Sequence, residues 1–290
     1  MRHHFKPYLI SLMLLILLIP AAATALSVTP MDNSDNMVQS LVGPGIEISN
    51  ISYTGTDSAS GYFSDGINSG LGIESGIVLT SGSASNLDGT SNTSNSISSN
   101  NHLGGDSNLN TLIPGYSTYD ATVLSFDFVS QGDAAYFNYS FGSEEYPEWV
   151  NSSFNDAFGF FIDGENYAMI PGTDTPVSIN TVNADANSQY YVDNMASSGD
   201  TIEYDGFTSV LTASITGLTP GETYTIALSI ADAGDHVYDS GVFLQAGSFS
   251  KAPVAAAAVP EPQFILLLLI GITGLALKIK SELKFRMAGS

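Results

Sequence analysis

The sequence predicts an all-β protein, an antiparallel β-sandwich of jelly-roll type, carried between two targeting segments. Three observations predict it. From Thr122 onward apolar and polar residues alternate with period two: Leu124, Phe126 and Phe128 against Ser125 and Asp127, then Phe137, Tyr139 and Phe141 against Asn138 and Ser140. Such alternation is what a sheet with one buried face requires. Residues 218–224, Leu-Thr-Pro-Gly-Glu-Thr-Tyr, have the form of a tyrosine corner, in which a phenol ties a sandwich corner back to nearby backbone. Between Leu26 and Ser250 no stretch has the spacing of an amphipathic helix.

The elements follow in order. Residues 46–53 alternate between glycine-bounded ends and read as a first strand. Residues 70–81 supply glycine punctuation and then the apolar run 77–79. Residues 83–110 are Ser, Asn, Gly and Asp with little to bury, so disorder or a flexible lid is expected there ahead of ligand contact. The runs 124–128 and 137–141 stand so close that an antiparallel pair is expected. Further strands are expected at 158–162, at 167–170 after a turn at Asp163-Gly164, at 177–182 and at 209–215. The alternating Tyr224, Ile226, Leu228 and Ile230 give another, and Val242, Leu244 and Ala246 the last.

Both ends carry targeting features. Residues 1–25 read as a signal peptide: Arg2 and Lys6, an apolar run at 9–19, and Ala23-Thr24-Ala25 as the cleavage site. Residues 251–262 form an Ala/Pro linker, and 263–290 an apolar anchor with a basic tail. The 14 apolar residues 264–277 rise about 21 Å as a helix, short of the ~30 Å hydrocarbon core, so spanning needs snorkelling lysines or local thinning. The basic flank Lys278, Lys280, Lys284 and Arg286 belongs on the cytoplasmic side, which puts the domain outside.

Charge sharpens the picture. The chain has 7 basic and 29 acidic residues, yet residues 26–250 contain no Lys or Arg and hold 27 of those acids. A carboxylate there can find a cationic side chain only in a protonated His102 or His236. Any buried acid must otherwise be protonated, hydrogen-bonded to backbone N–H, or bound to a metal ion. Scattered acids read as a solvated coat that keeps an exported protein soluble. Clustered ones point to hard divalent cations, calcium above all. Nucleic acid is excluded for want of a basic patch, and the absence of cysteine excludes disulfides and thiolate zinc sites.

The richest stretch is 141–161, FGSEEYPEWVNSSFNDAFGFF, which sets Glu144, Glu145, Glu148, the only Trp and Asn155-Asp156 between two aromatic runs. A second acidic segment, 232–241, has Asp232, Asp235 and Asp239 around Gly234, a spacing unlike an EF-hand loop. The calcium-ligating set expected is Glu144, Glu145, Asn155, Asp156, Asp205, Asp232, Asp235 and Asp239. Glu144 and Glu145 could instead serve as a glycosidase acid–base pair only if a loop turned both to one site, since adjacent strand residues face opposite ways. Trp149 and Tyr146 could stack on sugar, though aromatics at a loop base more often anchor a core. There is no G-x-S-x-G elbow and no H-E-x-x-H helix. No catalytic residue is therefore assigned, and a non-enzyme is expected.

Two family resemblances follow from quoted residues. Pro260-Glu261-Pro262, a short apolar stretch and a basic tail resemble the PEP-CTERM protein-sorting signal, although the tail's basic residues are spread out instead of forming a compact Arg-rich cluster. That resemblance implies recognition by an exosortase-type enzyme, removal of the tail, and a Gram-negative host making exopolysaccharide. The segments SGIVLTSG (75–82), FGSEEY (141–146), FNDAFGF (154–160), INTVN (179–183), YDGFT (204–208) and IADAGD (230–235) resemble the choice-of-anchor L domain over nearly all of 26–250. The resemblance implies a bacterial surface domain, paired in different members with different C-terminal anchors and without established enzymatic activity. The expectation is an anchored surface or biofilm-matrix adhesion protein, with a calcium-dependent polysaccharide-binding module as the alternative and a glycan hydrolase behind it.

Overall fold

Two antiparallel sheets pack face to face, each strand contributing the apolar half of its alternation to a shared interior. A computed structural model describes residues 25–31, 33–89, 92–195 and 202–255, which fall within the unit Thr24–Val259. The signal peptide apart from Ala25, the Pro260-Glu261-Pro262 motif and the anchor at 263–290 lie outside the described residues.

One sheet has eight strands: β1 (Ser27–Pro30), β3 (Ser60–Ser64), β4 (Gly76–Thr80), β13 (Ser240–Gln245), β6 (Ala134–Ser143), β10 (Gly206–Thr208) and β9 (Tyr191–Asp193) in that order, with β11 (Leu211–Thr216) also pairing β6. The other has five, in the order β2 (Ile48–Thr54), β5 (Thr118–Val129), β12 (Thr223–Ala233), β7 (Ala157–Ile162) and β8 (Glu165–Asn166). Consecutive strands from β4 to β7 and from β11 to β13 alternate between the sheets. Across the interior Phe137 meets Phe160 at 5.4 Å and Tyr139 meets Phe158 at 5.1 Å between ring centroids.

Several expectations hold. Tyr224 Oη accepts the Thr219 N–H at 2.8 Å, the tie that defines the tyrosine corner. Asp163 and Gly164 both have positive φ, 48° and 89°, as a two-residue hairpin turn demands, and the turn joins β7 to β8.

Others change. The runs 124–128 and 137–141 are not an antiparallel pair: β5 and β6 belong to different sheets, and residues 130–133 carry the chain across. Period two reports a buried face but not the neighbouring strand, and both runs cover the same core from opposite sides. Residues 177–182 form no strand; Ser178 makes one bridge to Ala157 and the Thr181 and Val182 N–H groups then turn back onto its carbonyl. Val177, Ile179 and Val182 are buried as a plug in the main core. After the turn the strand ends at Asn166, leaving 167–170 with a single bridge from Met169 to Pro176.

Two helices also form where none was expected. Helix α1 (Ser34–Leu41) is capped by the Asn33 side chain, which accepts the Asp35 N–H, and buries Met37, Val38 and Leu41. Helix α2 (Ser107–Leu112) is capped by Asp106, which accepts the Leu109 N–H at 2.9 Å, and sets Leu109 on the outer face of the five-stranded sheet. At eight and six residues they are too short to stand on periodicity and depend on caps and packing.

Most outer strands are short or broken, and among the described residues only β11, six regular residues paired to β6 alone, is neither. β1 has four residues and ends in Pro30, β9 has three and β8 two. β2 is interrupted between Ser49 and Ser52, where Asn50 has φ 52°.

Candidate functional site

The pairing registers gather the acids at one end of the sandwich. Ser143 at the end of β6 pairs with Ser240 at the start of β13 and with Gly206 at the start of β10. Ala231 near the end of β12 pairs with Ala157 at the start of β7, and Ala233 with Thr118 at the start of β5. Glu144, Glu145, Asp156, Asp205, Asp232 and Asp239 therefore come from strand ends of both sheets, and every one of them is buried, at most 2% exposed.

Residues 92–103 lie across this end as a strap. Among their backbone amides, Thr93 and Ser94 N–H point to the Glu203 carboxylate at 2.9–3.2 Å, Ile97 N–H to Glu144 Oε1 at 3.0 Å and Ser99 N–H to Asp239 Oδ1 at 3.0 Å. Asn101 and Leu103 N–H reach Asp120 Oδ2 and Oδ1 at 3.2 and 2.7 Å. The Asn92 amide donates to Asp205 Oδ1. The Ser/Asn-rich stretch expected to be loose is thus held by the very acids it covers: with no Lys or Arg within 26–250, peptide N–H groups take the place of cationic side chains.

Asp120 is the largest omission from the sequence reading. A bulge in β5, opposite Ile230 to Asp232 of β12, brings it out of register, and its φ of 48° turns a fully buried carboxylate toward the strap. His236 Nδ1 lies 2.9 Å from Asp120 Oδ2, and its ring packs on Tyr119 at a tilt of 46°, centroids 4.6 Å apart. This is one of the two histidine partners that the composition left available. Asp120 was passed over because it sits two residues ahead of the clean alternation. Glu203 was missed for want of any motif around it.

The second oxygens of the floor are left over. Glu144 Oε2, Glu145 Oε2, Asp205 Oδ2, Asp239 Oδ2 and both oxygens of Asp232 are buried with no hydrogen-bond partner; the Ser81 hydroxyl is directed to the Ser240 carbonyl. Asp156 differs, accepting the Ala233 N–H at 2.7 Å and the Ser240 hydroxyl at 2.6 Å. Desolvation raises the pKa of the six floor acids. Burial pushes Glu144 up to about 8, and Asp205 and Asp239 each to about 6. Asp232 is pushed well above the carboxylate range by burial and then by Asp156 and Asp239. Glu145 and Asp156 are also raised, by burial first.

Two residues of the expected set stand apart. Asn155 is buried, but its Oδ1 accepts the Asn180 N–H at 2.9 Å and ties down the 178–183 turn. Asp235 is half-buried and closes a local turn onto the Val237 N–H. Tyr146 is fully buried, donating to the Val182 carbonyl. Trp149 is half-exposed and packs on Phe154 and Tyr238 at 5.2 and 5.7 Å. The donor chemistry suits a hard cation. Among the described residues, however, no three His, Asp or Glu side chains converge closely enough to hold a metal ion as they stand.

Two predictions arise here. A Cβ on Gly82 would fall 1.7 Å from Asp239 Oδ2, so Gly82→Ala must displace that carboxylate; a loss of about 1–3 kcal/mol, the range for overpacking, is expected in urea unfolding. In chelator, the folded domain holds protons that the unfolded chain releases, because Glu144, Asp205 and Asp239 titrate above their ordinary 3.8 to 4.5. Stability is then fullest below pH about 4 and falls as pH rises to about 8. Melting temperatures at pH 5 and pH 8 check the sign, and a higher value at pH 8 would contradict it.

The molecule is, in class, an antiparallel β-sandwich with a floor of buried acids at one end. Residues 27–250 match the family model of the choice-of-anchor L domain, and the chain belongs to that family. It is accordingly a surface-associated protein of anchor type. A solved β-glucosidase from Kluyveromyces marxianus in complex with glucose is similar at 15% identity over 50% of this chain, with a TM-score of 0.18. This chain spans 12% of that one, and so loose a likeness carries no argument. No curated protein matches the chain.

Proposed function

We propose that this is an exported, C-terminally anchored, non-catalytic domain of the bacterial surface or biofilm matrix, serving adhesion and stabilised by calcium at its acidic end. The observation that carries the calcium reading is the set of buried carboxylate oxygens without partners, in a domain with no Lys or Arg. A buried polar atom left unpaired costs about 1–3 kcal/mol, and a divalent cation relieves that cost while cancelling the repulsion. Glu144, Glu145, Asp156, Asp205, Asp232 and Asp239 would hold it. The signal peptide, the Pro260-Glu261-Pro262 signal read by an exosortase-type enzyme, and the apolar anchor would deliver the domain to the outer surface, beside exopolysaccharide and other surface proteins.

The non-catalytic reading is supported by access. Glu144 and Glu145 are each 1% exposed, and the strap donates to Glu144, so a glycan could not reach the Glu144 carboxyl without the strap leaving, nor the Glu145 carboxyl without the surrounding structure opening. A polysaccharide-binding role has one observation in its favour, the half-exposed Trp149 packed with Phe154 and Tyr238; Tyr146 lies in the interior and drops out of that reading.

The test is thermal unfolding of the purified full chain in mild detergent, with calcium and with excess chelator. Binding to the folded state raises stability by about 2.7 kcal/mol at a hundredfold excess over Kd. A melting temperature unchanged by calcium would return the acids to a protonated, ion-free floor. Retention on cells, compared with a variant lacking 251–290, then tests anchoring.

A further inference from the structure

We propose that two copies of this chain pair edge to edge through β11, strand against antiparallel strand, about a two-fold axis at Ser214. Among the described residues β11 is the regular, unbroken outer strand, and it pairs with β6 alone. The chain covers the neighbouring stretch of the same edge by itself: β9 pairs Tyr191 with Thr208, and the Tyr190 carbonyl accepts the Ser209 N–H at 2.7 Å. That cover stops there. No described residue bonds to the outer side of the backbone at Thr212, Ser214 or Thr216.

The direction of those backbone groups follows from β6. The Asn138 N–H donates to Ser248 Oγ at 3.2 Å and the Tyr136 N–H to the Ser250 carbonyl at 2.8 Å, both on the β13 side, away from β11. Thr212 and Ser214 stand opposite Asn138 and Tyr136. In an antiparallel ladder they are then the pairs that exchange no bonds with β6, so their N–H and C=O groups point out of the sheet edge. Thr216, opposite Ala134, repeats the pattern. The side chains of these three residues are exposed, whereas Leu211, Ala213 and Ile215 between them are at most 2% exposed.

A second copy fits this edge because the edge is complementary to itself. With Ser214 opposite its own counterpart, Thr212 of each copy faces Thr216 of the other, and every outward N–H and C=O finds a partner. The register also keeps the faces matched: small hydroxyl side chains meet on the outer face, and Ala213 meets Ile215 on the inner one. Charge selects the same place. The chain carries a net charge of -22, yet residues 206–221 contain no charged side chain, so two copies can meet here without bringing acids together. The strand also lacks the proline that ends β1 and the break that interrupts β2, the devices that keep other edges from being extended.

The experiment uses the full chain in mild detergent with single cysteines, since the protein has none of its own. Ser214→Cys should cross-link to itself under a mild oxidant, because a bonded antiparallel pair sets Cα atoms about 5.5 Å apart, inside the roughly 4.4–6.8 Å that a disulfide takes. Thr212→Cys alone should not, its counterpart lying opposite Thr216, roughly 13 Å along the strand. A mixture of Thr212→Cys and Thr216→Cys chains should cross-link. By sedimentation the parent should form dimers that dissociate on dilution. Ser214→Pro removes an outward N–H, which an edge strand tolerates, and Ser214→Asp sets like charges face to face; each should be monomeric while still melting cooperatively. Should Ser214→Pro fail to fold, Ser214→Asp carries the same expectation. The pairing needs no ion and should persist in chelator, so the calcium reading can fail without it. A Ser214→Cys chain that stays uncross-linked would overturn the proposal. So would dimers that survive in both Ser214 variants, which would place the contact elsewhere, or Thr212→Cys cross-linking to itself as readily as Ser214→Cys, which would mean random collision.

Discussion

Asp232→Asn is expected to make the calcium-free protein more stable at pH 8 and to remove most of its response to calcium. Asp232 is 1% exposed, on the central strand β12, and neither of its oxygens has a partner. Burial, Asp156 and Asp239 push its carboxyl well above the carboxylate range, so at pH 8 the fold bears a cost that the unfolded chain does not. An amide of the same shape has no proton to lose. One pKa unit corresponds to about 1.4 kcal/mol, and a gain of about 1 kcal/mol or more in chelator is expected. In calcium the order reverses: the parent gains about 2.7 kcal/mol at a hundredfold excess over Kd, and the variant should gain less than about 1. Paired urea titrations in calcium and in chelator measure both. A variant less stable than the parent under both conditions would mean that Asp232 serves packing alone.

Asp120→Ala should have the largest effect on stability of any single exchange at this end. The carboxylate is fully buried and accepts from Asn101, Leu103 and His236. Removing it strands two peptide N–H groups and one histidine nitrogen, and each buried donor left without its acceptor costs about 1–3 kcal/mol, so a loss of several kcal/mol is expected. The strap would lose the anchor for its second half, so cleavage within 92–103 by thermolysin, at Ile97 or Leu103, should accelerate under native conditions. Trypsin cannot report this, because residues 26–250 offer it no Lys or Arg. Asp120→Asn keeps the shape and one acceptor and should lose roughly 1–2 kcal/mol.

The period-two runs made β5, β6, β12 and β13 legible, and the corner at Tyr224 announced a sandwich, because alternation and turn chemistry are local. Which strands pair was not legible, since β5 and β6 present the same pattern to one core from opposite sheets. Helices α1 and α2 escaped because their caps and buried side chains do more than their periodicity. The bare count of charges said that buried acids would need backbone donors or ions, and the strap's amides bear that out. It could not say that those amides come from a stretch with so little apolar content. Such a stretch reads as disordered until its acceptors are known, and the acceptors lie as far as 140 positions away, as between Ser99 and Asp239. Asp120 stayed hidden because a bulge is a property of two strands together.

The blunted edges have a consequence for life on a crowded surface. Outer strands that run two to four residues, or carry a proline or a break, offer little template for another chain to extend. Among the described residues that leaves the six-residue β11 as the regular outer strand, so copies standing side by side at high local concentration have few places from which to zip into fibrils. If they cohere beyond that strand, they do so through side chains and bridging ions, contacts that a change in the surrounding medium can undo.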